Sequence, residues 1–125
     1  EIADRDWSSD VCSSDLIATT SFVNRALVNG LDNSLSDIGY QVLPGGLIMQ
    51  WGYATSIASS TTIDFPIAFT NQVFSATATP GQLNSTVAIE NAVINTLTTT
   101  GMVVKTAQGS TAGAIGKFYW SAIGY

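Results

Sequence analysis

The sequence predicts a mainly β protein, a small antiparallel β-sandwich of about seven strands preceded by a short N-terminal helix. In several segments apolar and polar residues alternate with a period of two, the pattern of a strand with one face on a core. Turn residues separate these segments at intervals of about 8–12 residues, as in antiparallel sandwiches. The 125 residues have room for one domain. No apolar run approaches the length of a membrane span, so membrane insertion is not expected.

The first sixteen residues differ from the rest of the chain in composition. They hold five of the nine acidic residues and the only cysteine, Cys12. Residues 6–16, DWSSDVCSSDL, look like the in-frame translation of a sequencing-library adapter, and a natural Ser/Asp-rich linker is the alternative. We therefore set residues 1–16 aside as an artefactual segment that is not part of the fold. The remaining three bases and four acids give a charge of 3 − 4 = −1, so the acidic pI indicates nothing about basic partners.

Residues 17–38 are predicted to form the helix. Their apolar residues recur at spacings of three or four positions: Val23, Leu27, Leu31, Leu35 and Ile38. This spacing gives a narrow apolar stripe on one face. Gly39 stands where the C-cap glycine of a helix is expected. An isolated helix with so thin a stripe is only marginally stable. We therefore expect this helix to be a stalk that packs on its own domain or forms a coiled coil with its copies.

Residues 39–125 are predicted to form the sandwich. The run Leu43–Gly46, LPGG, is a turn, because proline restricts φ and glycine accepts positive φ. The next strand, Leu47–Thr55, carries large apolar residues at alternate positions: Leu47, Met49, Trp51 and Tyr53. The alternation predicts that one face of this strand lies on the core, and Trp51 is expected to be a core residue.

Six further strands complete the predicted sandwich. They are Thr61–Phe65, Val73–Thr79, Ser85–Glu90, Ala92–Thr98, Gly101–Thr106 and Lys117–Tyr125. The segment Glu90–Leu97 can also be read as a short helix, but its β-branched residues favour a strand. Ala107–Gly116 is predicted to be a glycine-rich loop.

The residue types that most catalytic sites need are absent. The chain has no histidine, and its one cysteine lies in the segment set aside, which argues against Ser-His-Asp, Cys-His and most zinc sites. Asp64 and Glu90 are the one carboxylate pair that could meet on the sheet as in a glycosidase. Nothing in the sequence requires that they meet, so we expect no enzyme activity, no metal and no cofactor. The few basic residues also argue against nucleic-acid binding.

Exposed aromatic residues and loops are the remaining candidates for binding. Tyr119 and Trp120 must face opposite sides of their strand, so one of them leaves the core. An exposed tyrosine offers a flat apolar face for a sugar ring. Four residues are the candidate contacts: Tyr53 and Tyr119 as outward-facing aromatic residues, and Asn84 and Lys117 as polar partners. Three loops are predicted to contribute as well: Ser56–Ser60, Pro80–Ser85 and Ala107–Gly116.

Three motifs together resemble the C-terminal domain of phage tail-fibre proteins. They are LPGGLIMQWG at residues 43–52, FPIAF at residues 65–69 and YWSAIGY at residues 119–125. The resemblance spans residues 39–125 and implies a homotrimeric sandwich at the distal tip of a virion tail fibre. It also implies attachment to a bacterial cell-surface polysaccharide or outer-membrane protein, and that the fibre shaft is missing from this chain.

Three functions therefore remain open. The first is a receptor-binding tip. The second is a structural module that trimerises and registers the fibre without receptor specificity. The third is a polysaccharide-cleaving tip that would use Asp64 and Glu90.

Overall fold

The structure is a computed structural model that describes residues 32–81 and 89–125, together with residues 20, 21 and 23. The chain divides into two units, Glu1–Asp32 and Asn33–Tyr125. In the first unit Thr20, Ser21 and Val23 are helical, as predicted, while the segment set aside and the rest of the predicted helix up to residue 31 lie outside the described residues. No helix in the described ranges is long and apolar enough to cross a membrane.

Nine strands lie in the described part of the second unit. They are β1 (Asn33–Ser34), β2 (Gly39–Val42), β3 (Ile48–Ser56), β4 (Ser60–Asp64), β5 (Val73–Pro80), β6 (Glu90–Leu97), β7 (Gly101–Gln108), β8 (Thr111–Ala112) and β9 (Gly116–Gly124). Sheet A has the order β1-β2-β3-β9-β5, and sheet B has the order β4-β7-β6 with β8 beside β7. All pairings are antiparallel. The predicted mainly β, antiparallel fold is confirmed.

Most predicted strands are present with limits within a residue or two. Glu90–Leu97 is a strand and not the alternative helix, because it pairs along β7. The predicted strand Ser85–Glu90 lies mostly outside the described residues. The predicted loop Ala107–Gly116 is wrong in part, because β7 continues to Gln108 and β8 pairs back onto it. Gly109 makes this tight hairpin possible with a φ of 61°.

The core lies between the two sheets. Sheet A contributes Ile48, Phe118, Trp120 and Ala122, and sheet B contributes Ile63, Met102 and Val104. Phe65 and Phe69 close one end; their ring centres are 5.3 Å apart, and Phe65 also lies 5.6 Å from the ring centre of Trp120. Of the two adjacent aromatics in β9, Trp120 is therefore the core residue and Tyr119 faces outward.

The prediction that Trp51 belongs to the core is wrong. The inward residues of β3 are Ile48, Gln50 and Gly52, whereas the large side chains at the alternate positions face outward. A Cβ atom on Gly52 would lie 2.8 Å from the Trp120 ring. Because Trp120 of β9 already fills the space under Gly52, this position has no room for a side chain. Trp51 instead lies half-buried on the outer face, where its Nε1 donates a hydrogen bond to the carbonyl oxygen of Ser36 at 3.0 Å.

The predicted helix is also wrong over its last residues. Asn33–Ser34 is a strand that pairs with β2, and Ser36–Ile38 is a bend. Gly39 is not a helix cap but a residue of β2 opposite Trp51. A Cβ atom at Gly39 would collide with the carbonyl oxygen of Ser34, so the glycine permits the close approach of β1. In residues 33–39, pairing with the sheet therefore overrides the helix propensity of the sequence.

Candidate functional site

Two described connections meet at one end of the sandwich, which we call the loop end. In sheet A, Ser56 at the end of β3 lies opposite Gly116 at the start of β9, and β5 also ends there. In sheet B, β6 begins opposite Gln108 at the end of β7. The connections after β3 and after β7 therefore share this end, and they are two of the three segments that the sequence predicts as binding loops. Of the third predicted loop, Pro80–Ser85, only Pro80 and Gly81 are among the described residues, and they lie at this end as well.

A buried threonine holds two of these connections against β7. The hydroxyl of Thr106 lies 2.7 Å from the hydroxyl of Ser56 and 3.0 and 2.8 Å from the carbonyl oxygens of Ala58 and Gly113. The backbone N–H of Thr106 also donates to the carbonyl oxygen of Ser59 at 3.0 Å. Since buried hydrogen bonds are costly to break, this network gives the loop end a defined shape.

Two tyrosines and a lysine come together on the outer face of sheet A at the loop end. Tyr53 of β3 lies directly opposite Tyr119 of β9. The Nζ atom of Lys117 lies 4.1 Å from the ring centre of Tyr53 and 5.1 Å from that of Tyr119. These distances are those of cation–π contacts. We call Tyr53, Lys117 and Tyr119 the tyrosine–lysine cluster.

The cluster combines apolar ring surface with an ammonium group that has no ion-pair partner among the described carboxylates. Half of Tyr119 is exposed, and Tyr53 is exposed as well. A tyrosine ring offers an apolar face and a hydroxyl handle, and an ammonium offers three hydrogen-bond donors. This arrangement can bind a sugar ring or an anionic group at the protein surface.

Gly81 sets the position of Tyr119. Its backbone N–H donates to the carbonyl oxygen of Lys117 at 2.9 Å. A Cβ atom on Gly81 would lie 2.5 Å from the Cε2 atom of the Tyr119 ring. The ring therefore lies over a backbone position that only glycine leaves open. Sequence reasoning did not find this role, because Pro80-Gly81 has the ordinary signature of a turn.

Replacing Gly81 with alanine is expected to move the Tyr119 ring and to leave the fold intact. The ring is a surface side chain with room to turn, so the change in stability should stay within about 0.5–1 kcal/mol. In the parent protein the ε-protons of Lys117 should show upfield ring-current shifts in the NMR spectrum, and Gly81→Ala should reduce them. Gly113→Ala is the matched control, since a Cβ atom there meets nothing within 4 Å. Unchanged shifts in Gly81→Ala would contradict the assigned role.

Three of the four predicted contact residues meet in the tyrosine–lysine cluster. The fourth, Asn84, lies outside the described residues. Asp64 and Glu90 do not meet: Asp64 lies opposite Gly101 and Glu90 opposite Gln108, at the two ends of β7. Seven residues of strand separate these ends by roughly 23 Å, well beyond the spacing of a glycosidase pair. Within the described ranges no three acidic, histidine or cysteine residues are grouped as metal ligands.

The outer face of sheet A continues as an apolar surface beyond the cluster. Met49 and Ile123 lie opposite each other there, next to Trp51. Farther along, Phe74 stacks on Tyr125 with ring centres 5.2 Å apart. Exposed apolar surface of this extent is typical of a face that contacts another molecule. The sequence carries this signal in the alternation of β3, but the alternation alone does not tell which face is covered.

Comparisons with known proteins connect this structure to fibres. The sequence profile of the family described as "Putative tail fiber protein gp53-like, C-terminal" matches residues 42–125. No curated protein matches the chain in sequence.

Solved structures of pyocin fibres resemble the chain in fold. The N-truncated R2-type pyocin tail fibre is 26% identical with a TM-score of 0.63, over 76% of this chain and 37% of that one. A C-terminal fragment of the R2 pyocin fibre of P. aeruginosa gives the same identity and score, over 76% of this chain and 26% of the fragment. The N-truncated R1-type pyocin tail fibre is 22% identical with a TM-score of 0.61, over 76% and 85%. The chain thus spans little more than a third of the R2-type fibre.

Proposed function

Because the chain belongs to the gp53-like family of tail-fibre C-terminal domains, we propose that its sandwich is the receptor-binding distal tip of a phage or pyocin tail fibre. The ligand in this proposal is a polysaccharide or an outer-membrane protein on a bacterial surface. The tip acts outside the cell, at the end of a homotrimeric fibre. No catalytic reaction is part of the proposal.

The observation that carries the proposal is the position of the tyrosine–lysine cluster. Tyr53, Lys117 and Tyr119 lie on an exposed face, at the same end as the connections after β3 and after β7. Loops on a rigid sandwich are common places for binding residues. Surface glycans present C–H faces that pack on tyrosine rings and polar groups that accept hydrogen bonds from an ammonium. The cluster supplies both kinds of contact in one place.

Substitutions in the cluster test the proposal. The purified chain is expected to bind some members of a panel of bacterial strains with different surface polysaccharides. Tyr119→Ala and Lys117→Met should each weaken this binding at least about tenfold, the loss expected when a central contact worth about 1.4 kcal/mol is removed. Phe74→Ala, which removes an exposed aromatic from the opposite end of the sheet, is the matched control and should bind normally. Two results would refute the proposal. One is that the chain binds none of the strains, and the other is that the parent and all variants bind equally well.

The second candidate function is structural, and the apolar outer face of sheet A favours it. In this alternative Met49, Trp51 and Ile123 pack against other copies of the chain. The domain then joins three chains and sets their alignment in the fibre. The cluster would then be covered between copies, where no receptor reaches it. Molar mass by light scattering separates the two functions. Under the first, Tyr119→Ala keeps a mass of three 13.1 kDa chains and loses binding, whereas under the second it loses trimer mass.

A further inference from the structure

A groove lies on the outer face of sheet B, on the side of the sandwich away from the tyrosine–lysine cluster. Its volume is about 290 Å³, and its lining includes Ser60, Asn91, Val93, Lys105, Ala107 and Ala112. This volume is near the lower limit of small-molecule pockets, about 300 Å³. The groove therefore has room for one sugar unit, and not for a helix or a strand of a partner protein.

The strand register places the lining side chains in two rows across the groove. In one row Lys105 of β7 lies between Ser60 of β4 and Val93 of β6. In the other row Ala107 of β7 lies between Ala112 of β8 and Asn91 of β6. Neighbours across strands are about 5 Å apart. The two rows thus bring a hydroxyl, an amide and an ammonium within reach of one small ligand.

The floor of the groove is rigid and partly apolar. Thr106, between the two rows, is buried, and its backbone groups bond to the carbonyl oxygen of Ser59 and the N–H of Gly113. These bonds fix the wall that β4 and β8 form along one side of β7, opposite β6. Val93 is 62% exposed beside the lysine. Together with the two alanines it offers an apolar surface that suits the C–H face of a sugar ring.

Lys105 brings an uncompensated positive charge to this place. It is exposed and forms no ion pair with a described carboxylate. Asp64 lies at the other end of β7, opposite Gly101, and Glu90 is a buried residue at the β7 end opposite Gln108. An ammonium in such a setting favours an anionic group on the ligand.

We propose that this groove is a saccharide subsite that takes a sugar unit bearing a negatively charged substituent, a carboxylate or a phosphate. The anionic group pairs with Lys105, the ring packs on Val93 and the alanines, and Ser60 and Asn91 bond to ring hydroxyls. The inference deepens the proposed function, on which it rests for the class of ligand. It assigns the outer face of sheet B a part in recognition that neither the sequence nor the tyrosine–lysine cluster indicates.

The test is an NMR titration of the full chain with three defined sugars. D-glucuronic acid carries a carboxylate, D-glucose 6-phosphate carries a phosphate, and D-glucose is the neutral match for both. At least one charged sugar should shift the amide signals of Ser60, Asn91, Val93 and Lys105 in a saturable way. D-glucose should bind at least about tenfold more weakly, because it leaves the ammonium unpaired. The two charged sugars show which anionic group is preferred.

Matched lysine variants complete the test. Lys105→Gln should abolish the saturable shifts while the rest of the spectrum stays folded, and Lys105→Arg should retain them. Lys117→Gln should leave the shifts in the groove unchanged. Equal binding of glucose, no saturation with either charged sugar, or an unaltered titration in Lys105→Gln would each overturn the inference. This titration uses free sugars, so it is independent of the cell-binding experiment. The groove can show no sugar binding while cell binding through Tyr119 is retained, and the groove can bind sugars while cell binding is absent.

Discussion

Replacing Phe118 with alanine is expected to lower the free energy of unfolding by about 3–5 kcal/mol, the usual cost of removing a buried aromatic ring. Phe118 is 0% exposed and is the largest fully buried side chain among the described residues. It lies in β9 between Ala54 of β3 and Pro80 of β5. Small neighbours on both sides leave nothing that can move in to fill the cavity, so the cost should lie toward the upper part of this range.

Thermal unfolding followed by circular dichroism measures this effect. For a domain of this size the midpoint should fall by at least about 12 °C. Phe74→Ala is the matched control: Phe74 is 57% exposed and stacks on Tyr125 at the surface. Its loss should cost about 1 kcal/mol or less. Similar midpoints for the two variants would contradict the assignment of Phe118 to the core.

Replacing Gln50 with leucine is expected to destabilise the domain by about 2–4 kcal/mol, even though leucine is the more apolar residue. Gln50 is 1% exposed. Its Nε2 donates to the carbonyl oxygen of Ile67 at 2.8 Å, and its Oε1 accepts from the N–H of Ile67 at 3.1 Å. The side chain thus binds the backbone of Ile67 as a neighbouring strand would. Leucine leaves both groups unpaired, and each such group costs about 1–3 kcal/mol when buried.

Urea unfolding of Gln50→Leu and Gln41→Leu measures this difference. Gln41 lies in β2 opposite Met49, on the outer side of sheet A, and its amide donates to the carbonyl oxygen of the adjacent Val42. Gln41→Leu should therefore change stability by less than about 0.5–1 kcal/mol. An equal effect of both substitutions would show that the buried pairing of Gln50 with Ile67 contributes little.

Strand positions could be predicted from the sequence because the signals are local. β-branched residues marked β6 as a strand and not a helix, and Pro80 and Gly81 marked the end of β5. The strand β2 was missed because it is four residues long and its neighbours suggested a helix end. Asn33–Ser34 was assigned to the helix for the same reason. Both errors come from strand pairing that no local pattern contains: β2 pairs with β3, and β1 pairs with β2.

The inner face of β3 could not be chosen from the sequence. Hydrophobic alternation predicts that one face is buried, and the large residues were the natural choice. Gln50 and Gly52 face the core instead: Trp120 fills the space beneath Gly52, and the Gln50 side chain pairs with the backbone of Ile67. The outer face of the same strand carries Met49, Trp51 and Tyr53, and of these Tyr53 belongs to the tyrosine–lysine cluster.

By itself the sequence determined the mainly β class, the limits of most strands and the placement of Tyr119 and Trp120 on opposite sides of β9. These features follow from alternation and turn chemistry within a few residues of chain. Only the tertiary structure decided that Tyr53, Lys117 and Tyr119 form one cluster and that Asp64 and Glu90 lie apart. Both outcomes depend on the pairing of strands distant in sequence, such as β3 with β9, whose register is set by the packing of the whole core.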